Sequence, residues 1–180
     1  MAEEKKEKWL NYMAITTVAI AVCATLSTFK GGGFSTKSLL CQSKASDKWA
    51  HYQAKSIKSY LYQIQKENIE LQVKTMESES PKTDTQPYKD KISYYKDKLK
   101  GYDDDQKQIK QEAQDLEAER DESKLHSQSL GMAVIFLQVS ILLSSIGALT
   151  KKKYIWYISL ISGVIGAIYF ANGFLLFFLA

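Results

Sequence analysis

The 180-residue chain has only two prolines, Pro81 and Pro87, and both fall within residues 76–87. Proline is the residue that most firmly ends a helix, so the long stretches on either side of that segment carry no such stop. Cysteine is equally scarce. Cys23 sits inside an apolar run and Cys41 stands further along a polar one. A bridge between them would need a fold-back, so no intramolecular disulfide is expected. The two histidines, His51 and His126, lie in neither of the helical metal-binding spacings, and both read as lone solvated side chains. Asp103, Asp104 and Asp105 lack the glycine and terminal glutamate of a calcium loop and read as a charged helix face. No Ser-His-Asp set, phosphate loop or cysteine pair announces catalysis. We therefore expect no enzyme, no cofactor, no bound metal and no nucleic-acid partner.

Formal charge is missing from three long stretches, residues 9–29, 130–149 and 154–179. Each is about 20 residues or more, enough for a helix to cross a bilayer. The first is longer than the apolar core of a signal peptide and is read as a retained span. The predicted layout is a tail (1–8), a first transmembrane helix (9–29), a polar segment (30–129), a second transmembrane helix (130–149), a loop (150–153) and a third transmembrane helix (154–180). Lys5, Lys6 and Lys8 flank the first span, and Lys151, Lys152 and Lys153 fill the loop. Lysines near span ends favour the cytoplasm, which puts the tail and the loop inside and residues 30–129 outside.

What is abundant is heptad order. Tyr88, Ile92, Tyr95, Leu99, Tyr102, Gln106, Ile109, Ala113, Leu116, Arg120, Ser123, Ser127, Leu130, Val134, Leu137 and Ile141 follow at alternating steps of four and three. Such a seam requires a partner helix along its length. It passes from charged sequence into the second uncharged run without a strong breaker, so one continuous helix is predicted, with Gly131 its only weak point. A second seam, Ala50, Ala54, Ile57, Leu61, Ile64, Asn68 and Leu71, precedes the proline segment. Together they predict an all-α membrane protein with three spans and a long antiparallel helical hairpin, a coiled coil, between the first and second spans. Folding about residue 80 sets the lysines of residues 38–57 against the acid-rich residues 103–122. It also sets residues 60–72, with two glutamates, against the lysine-rich residues 88–100. Both halves match in sign, although each exposed pair contributes only a few tenths of a kcal/mol. Gly31, Gly32 and Gly33 are expected to bend or break the helix after the first span.

Small residues recur every four positions in the spans: Thr17, Ala21 and Thr25; Ser140, Ser144 and Ala148; Ser159, Gly163, Ala167 and Ala171. Such faces let helices approach closely in lipid. Trp49, Tyr52, Gln53 and Ser56 share a separate strip, read as a recognition or oligomerisation surface, with packing against the second arm of the same protomer as the alternative. Asn68 and Gln106 interrupt apolar seams, where polar residues either set register or oligomer state or face water at a splayed point. The seam turns polar at Arg120, Ser123 and Ser127, a stretch suited to hydration or to lipid headgroups. Asn172 is the notable polar residue of the third span.

The blocks A-S-D-K-W-A-H-Y-Q-A-K-S-I-K at residues 45–58 and L-T-K-K-K-Y-I-W-Y-I-S-L at residues 149–160 resemble the bacterial membrane-protein family called domain of unknown function 4337. The resemblance implies a bacterial envelope location and no defined activity. The expected function is a non-enzymatic inner-membrane scaffold or accessory subunit. It would meet membrane lipid and associate as a homo-oligomer or within a larger complex. The alternative is an oligomeric channel or transporter lined by Ser, Thr and Asn172, although the spans lack the charge that ion coupling would use.

Overall fold

The computed structural model describes residues 2–79 and 84–177, with side chains from Trp9 onward. Lys5, Lys6 and Lys8, Pro81, and the last residues of the expected third span, to Ala180, lie outside the described side chains. The described chain is all-α, with α1 (Ala2–Glu79), α2 (Gln86–Thr150) and α3 (Lys153–Leu175). Each helix contains a segment long and apolar enough to cross a membrane.

The proline segment behaves as its chemistry requires. Thr85 O accepts the first helical hydrogen bond of α2, from Lys89 N at 3.1 Å. The side chain of Asp84 accepts from Gln86 N at 3.0 Å. Pro87 then occupies the first turn, where its missing N–H has no helical acceptor to serve. The second connection is shorter than the expected loop: α2 ends at Thr150 and α3 begins at Lys153. Lys151 takes φ 54°, a left-handed turn that reverses the chain.

The predicted break at Gly31, Gly32 and Gly33 does not occur, because α1 is helical throughout. Gly31 is buried, and a Cβ built there would lie 3.2 Å from Leu130 Cβ. Ser127 Oγ donates to Gly31 O at 3.1 Å. The helix therefore gains a close contact where the propensity scale counts only a loss of about 1 kcal/mol. Gly32 and Gly33 face open space and are carried by the packing on either side.

The chain forms two packing units. One comprises Met1–Leu40 with Glu119–Ala180, and the other Cys41–Ala118. In the first, Ala24, Ala133 and Leu137 form the core, with Ile20, Ile141, Tyr169 and Phe170 against it. In the second, Ile69, Val73 and Tyr95 form the core, with Tyr62, Tyr88 and Ile92 around it. Lys48 pairs with Glu112 and Lys55 with Asp105, so α1 and α2 meet in opposite chain directions with both pairs centred on position 80.

Every residue of the seam predicted on α2, from Tyr88 to Ile141, is buried or half-buried. The seam predicted on α1 is not the face that meets α2. Ala50, Ala54, Ile57, Leu61, Ile64, Asn68 and Leu71 are all exposed. The covered line instead includes Cys41, Ala45, Lys48, Tyr52, Lys55, Ser59, Tyr62, Lys66, Ile69, Val73 and Met76. It keeps the same alternation of four and three but is more polar. Lysine can pack its methylene stem while its ammonium reaches an acid, so a paired face need not be the most apolar one.

Candidate interaction site

In Cys41–Ala118, α1 presents two faces. Toward α2, Tyr62 packs against Tyr95 and Tyr102, with ring centroids 5.7 and 5.5 Å apart. The Lys55 ammonium lies 5.4 Å from the centre of the Tyr102 ring while it pairs with Asp105. Lysine thus contributes a cation over an aromatic face as well as an ion pair. Glu112 accepts from Lys48 and Gln108. Its carboxyl is held below the usual range, first by the Lys48 hydrogen bond and then by that of Gln108. Lys107, hydrogen-bonded to Asp103, is pushed up. The aspartates at 103 and 105 thus each hold a lysine, one on α2 and one on α1.

The sequence-predicted aromatic strip divides between these roles. Trp49 Nε1 donates to Glu117 on α2 at 2.9 Å, and its ring meets Tyr52 edge-on at 5.7 Å. Tyr52 and Ser56 are half-buried, while Gln53 is exposed. Trp49 and Tyr52 are therefore engaged within one protomer. Gln106 is half-buried on α2, as a seam residue would be, and Asn68 is exposed.

The other face of α1 carries Ile57, Tyr60, Leu61, Ile64 and Leu71, all well exposed. Among the described residues of Cys41–Ala118, the only other large exposed apolar side chain is Tyr94. The apolar surface of this unit is thus concentrated on one line of one helix. Beside that line lies an open groove of about 540 Å³ lined by Lys58, Leu61, Tyr62, Gln65, Tyr95 and Tyr102.

In the other unit, polar side chains tie helix to helix. Thr17 Oγ1 and Ser144 Oγ are 2.6 Å apart, Ser140 Oγ donates to Ser159 O at 2.6 Å, and Ser162 Oγ donates to Phe136 O at 2.8 Å. Asn172 Nδ2 donates to Ser129 Oγ at 2.9 Å, both residues being buried. The polar stretch of α2 is filled in the same way. Ser123 is buried, Ser127 donates to Gly31, and Ser38 Oγ donates to Arg120 O at 3.2 Å.

The membrane stripes need a correction of period. Ser140, Ser144, Ser159 and Gly163 are buried, but Ala148 is half-buried, and Ala167 and Thr25 are exposed. Steps of four gain about 40° each time on a helix of 3.6 residues per turn, so such a stripe drifts off the contact. The buried positions alternate steps: Ser140, Ser144 and Gly147 on α2; Ser159, Gly163 and Gly166 on α3, with Gly173 a heptad beyond Gly166. A Cβ at Gly166 would lie 2.8 Å from the Leu137 side chain, and one at Gly173 would lie 2.5 Å from that of Leu130. Both glycines were legible as members of a four-and-three repeat.

His126 also departs from expectation. It is half-buried, stacks on Phe34 with centroids 4.4 Å apart, and its Nδ1 lies 2.8 Å from Gly173 O. A carbonyl only accepts, so this nitrogen carries the proton and serves an acceptor in the last turn of α3. His51 is exposed. Cys23 and Cys41 are free thiols, and Cys41 is buried. Among the described residues no group of three His, Cys, Asp or Glu side chains converges to hold a metal. Lys152 and Lys153 stand over the rings of Tyr154 and Trp9, at 5.9 and 5.8 Å.

A helical chain with three segments long and apolar enough to cross a membrane, tied helix to helix by packed and hydrogen-bonded side chains, is the class that these features define. The chain belongs to the family described as Domain of unknown function (DUF4337), which it matches over residues 9–176. Comparison with curated proteins and with solved structures finds no match.

Proposed function

We propose that this protein is a non-enzymatic scaffold or accessory subunit of the bacterial inner membrane, self-associating through its polar segment. In this reading the three apolar segments insert as spans, with the N-terminus and Lys151, Lys152 and Lys153 in the cytoplasm. Residues 30–129 stand outside as an antiparallel coiled-coil hairpin. The pairing of Lys48 with Glu112 and Lys55 with Asp105 supports the hairpin. Lysines over Tyr154 and Trp9 suit a membrane-interface belt.

The observation that carries the scaffold reading is the apolar line left on α1 after its opposite face has paired with α2. A contiguous apolar patch on a soluble surface marks an interaction site. The hydroxyls of the spans and Asn172 bond between helices of one chain, which supports packing as their role.

The test has two parts. The mass of the full chain, extracted in native lipid particles, is expected to correspond to more than one copy; a single copy with no retained partner would sink the proposal. Orientation is read by an impermeant thiol reagent at Asp104→Cys, an exposed position, in a chain carrying Cys23→Ala and Cys41→Ala. Labelling of intact spheroplasts supports the orientation, and labelling only after lysis reverses it. Native Cys41 is unsuited to this because it is buried.

A further inference from the structure

We propose that the outer stripe of α1, residues 50–71, is the docking surface for a second copy of this chain, which lies parallel and in register against it. This deepens the self-association reading and rests on it. Three observations lead to the occupant.

The first is spacing. Ala50, Ile57, Ile64 and Leu71 recur at sevens, and Ala54, Leu61 and Asn68 fall between them at the complementary heptad sites. All are exposed, so this is a full coiled-coil seam with no helix on it. The stripe follows Asp47 and stops before Thr75, polar residues at the next seam positions. Copies inserted in one bilayer with the same orientation run α1 in the same direction. Parallel register then brings Asn68 opposite Asn68 of the second copy, where two amides can satisfy each other.

The second is charge. In parallel register Gln53 faces Lys58, Tyr60 faces Gln65, and Glu67 faces Gln72 of the other copy. No like charges meet, whereas like-charge juxtaposition is the usual barrier to self-association. In that register Tyr60, itself 69% exposed, meets Gln65 of the second copy, a residue that lines the groove with Tyr62, Tyr95 and Tyr102. The second copy thereby supplies an occupant for the groove as well as for the stripe.

The third is area. Ile57, Leu61, Ile64 and Leu71 are each 55–61% exposed, and covering them removes about 100 Å² apiece. With Tyr60 and the flanking methylenes the stripe approaches the roughly 800 Å² per partner of a standard interface. Leu61 with isoleucines at the alternate sites favours bundles above two strands, and Asn68 favours two. The pairwise contact is the same in either case.

The test uses the full chain in membranes, with Cys23→Ala and Cys41→Ala as background. Ile57→Cys and Leu71→Cys are each expected to form disulfide-linked dimers with themselves under mild oxidation, while Asp104→Cys is not. Linkage between Ile57→Cys and Leu71→Cys chains, without self-linkage of either, would mean an antiparallel contact and overturn the proposal. Absence of every linkage would also overturn it. Ile64→Lys provides the second readout, as loss of the multi-copy mass in lipid particles with helical content retained. If Ile64→Lys keeps the wild-type mass, self-association stands but the stripe does not carry it. A wild-type chain that is itself single-copy removes both readings.

Discussion

Over residues 13–31, α1 turns Met13, Thr17, Ile20, Ala24, Ser27 and Gly31 toward its neighbours; over residues 45–69 it turns Ala45, Lys48, Tyr52, Lys55, Tyr62 and Ile69. Each set follows steps of four and three and their sums, and only the side chains differ. In the unit of Met1–Leu40 with Glu119–Ala180, glycines and hydroxyls sit at the helix contacts, a strategy suited to lipid, where apolar packing alone gives helices little preference for one another. In Cys41–Ala118, tyrosine rings and lysine stems do the packing, a strategy suited to water, where burying apolar area is itself favourable. The same heptad can therefore be built from two sets of side chains.

This contrast can be broken from either side. The largest expected effect is at Tyr95, 9% exposed in the aromatic core. Tyr95→Ala should cost about 3 kcal/mol by emptying that core. Thermal unfolding followed by far-ultraviolet dichroism measures it. Next come Gly166→Ala and Gly173→Ala, which place a methyl against buried Leu137 and Leu130. Overpacking should cost each about 2 kcal/mol, read by unfolding in detergent or bilayer. Gly33→Ala is the counter-case. With nothing near a Cβ there, it should stabilise the helix by up to about 1 kcal/mol.

The smallest effect is the pH dependence of the Lys48–Glu112 pair. The Glu112 carboxyl is depressed, so its contribution is present above the unfolded-state glutamate range and is lost as pH falls through the folded value. The difference in stability between wild type and Glu112→Gln should therefore vanish on acidification. A difference that persists at low pH would show that the pair does not act through charge.

The helices, their uncharged segments and the seam of α2 were legible because Tyr88 to Ile141 combine apolar character with the heptad in one line. On α1 the two signals separate. The most apolar heptad, through Ile57, Leu61 and Ile64, is the spare face, while the paired face carries Lys48, Lys55 and Lys66. Charge matching between the arms was correct in its centre near residue 80, since Lys48 and Lys55 were counted even though they were not assigned to the seam. The glycines after the first span misled for a related reason. Propensity records what Gly31 costs a lone helix and is silent about Leu130, which needs that space. His126 was missed because nothing local distinguishes a solvated histidine from one that meets a carbonyl 47 positions away.

Within one chain, α1 pairs with α2 through its polar line and leaves its apolar line uncovered, and two isoleucines five residues apart test it. Ile69 is 8% exposed and Ile64 is 55% exposed. The same change, Ile to Lys, is compared at both positions by thermal unfolding in detergent, at a protein concentration where the chain runs as a single copy. The account predicts that Ile69→Lys lowers stability by about 3 kcal/mol, since it buries an unpaired charge, while Ile64→Lys leaves the unfolding transition in place. Collapse of Ile64→Lys with Ile69→Lys unaffected would contradict it.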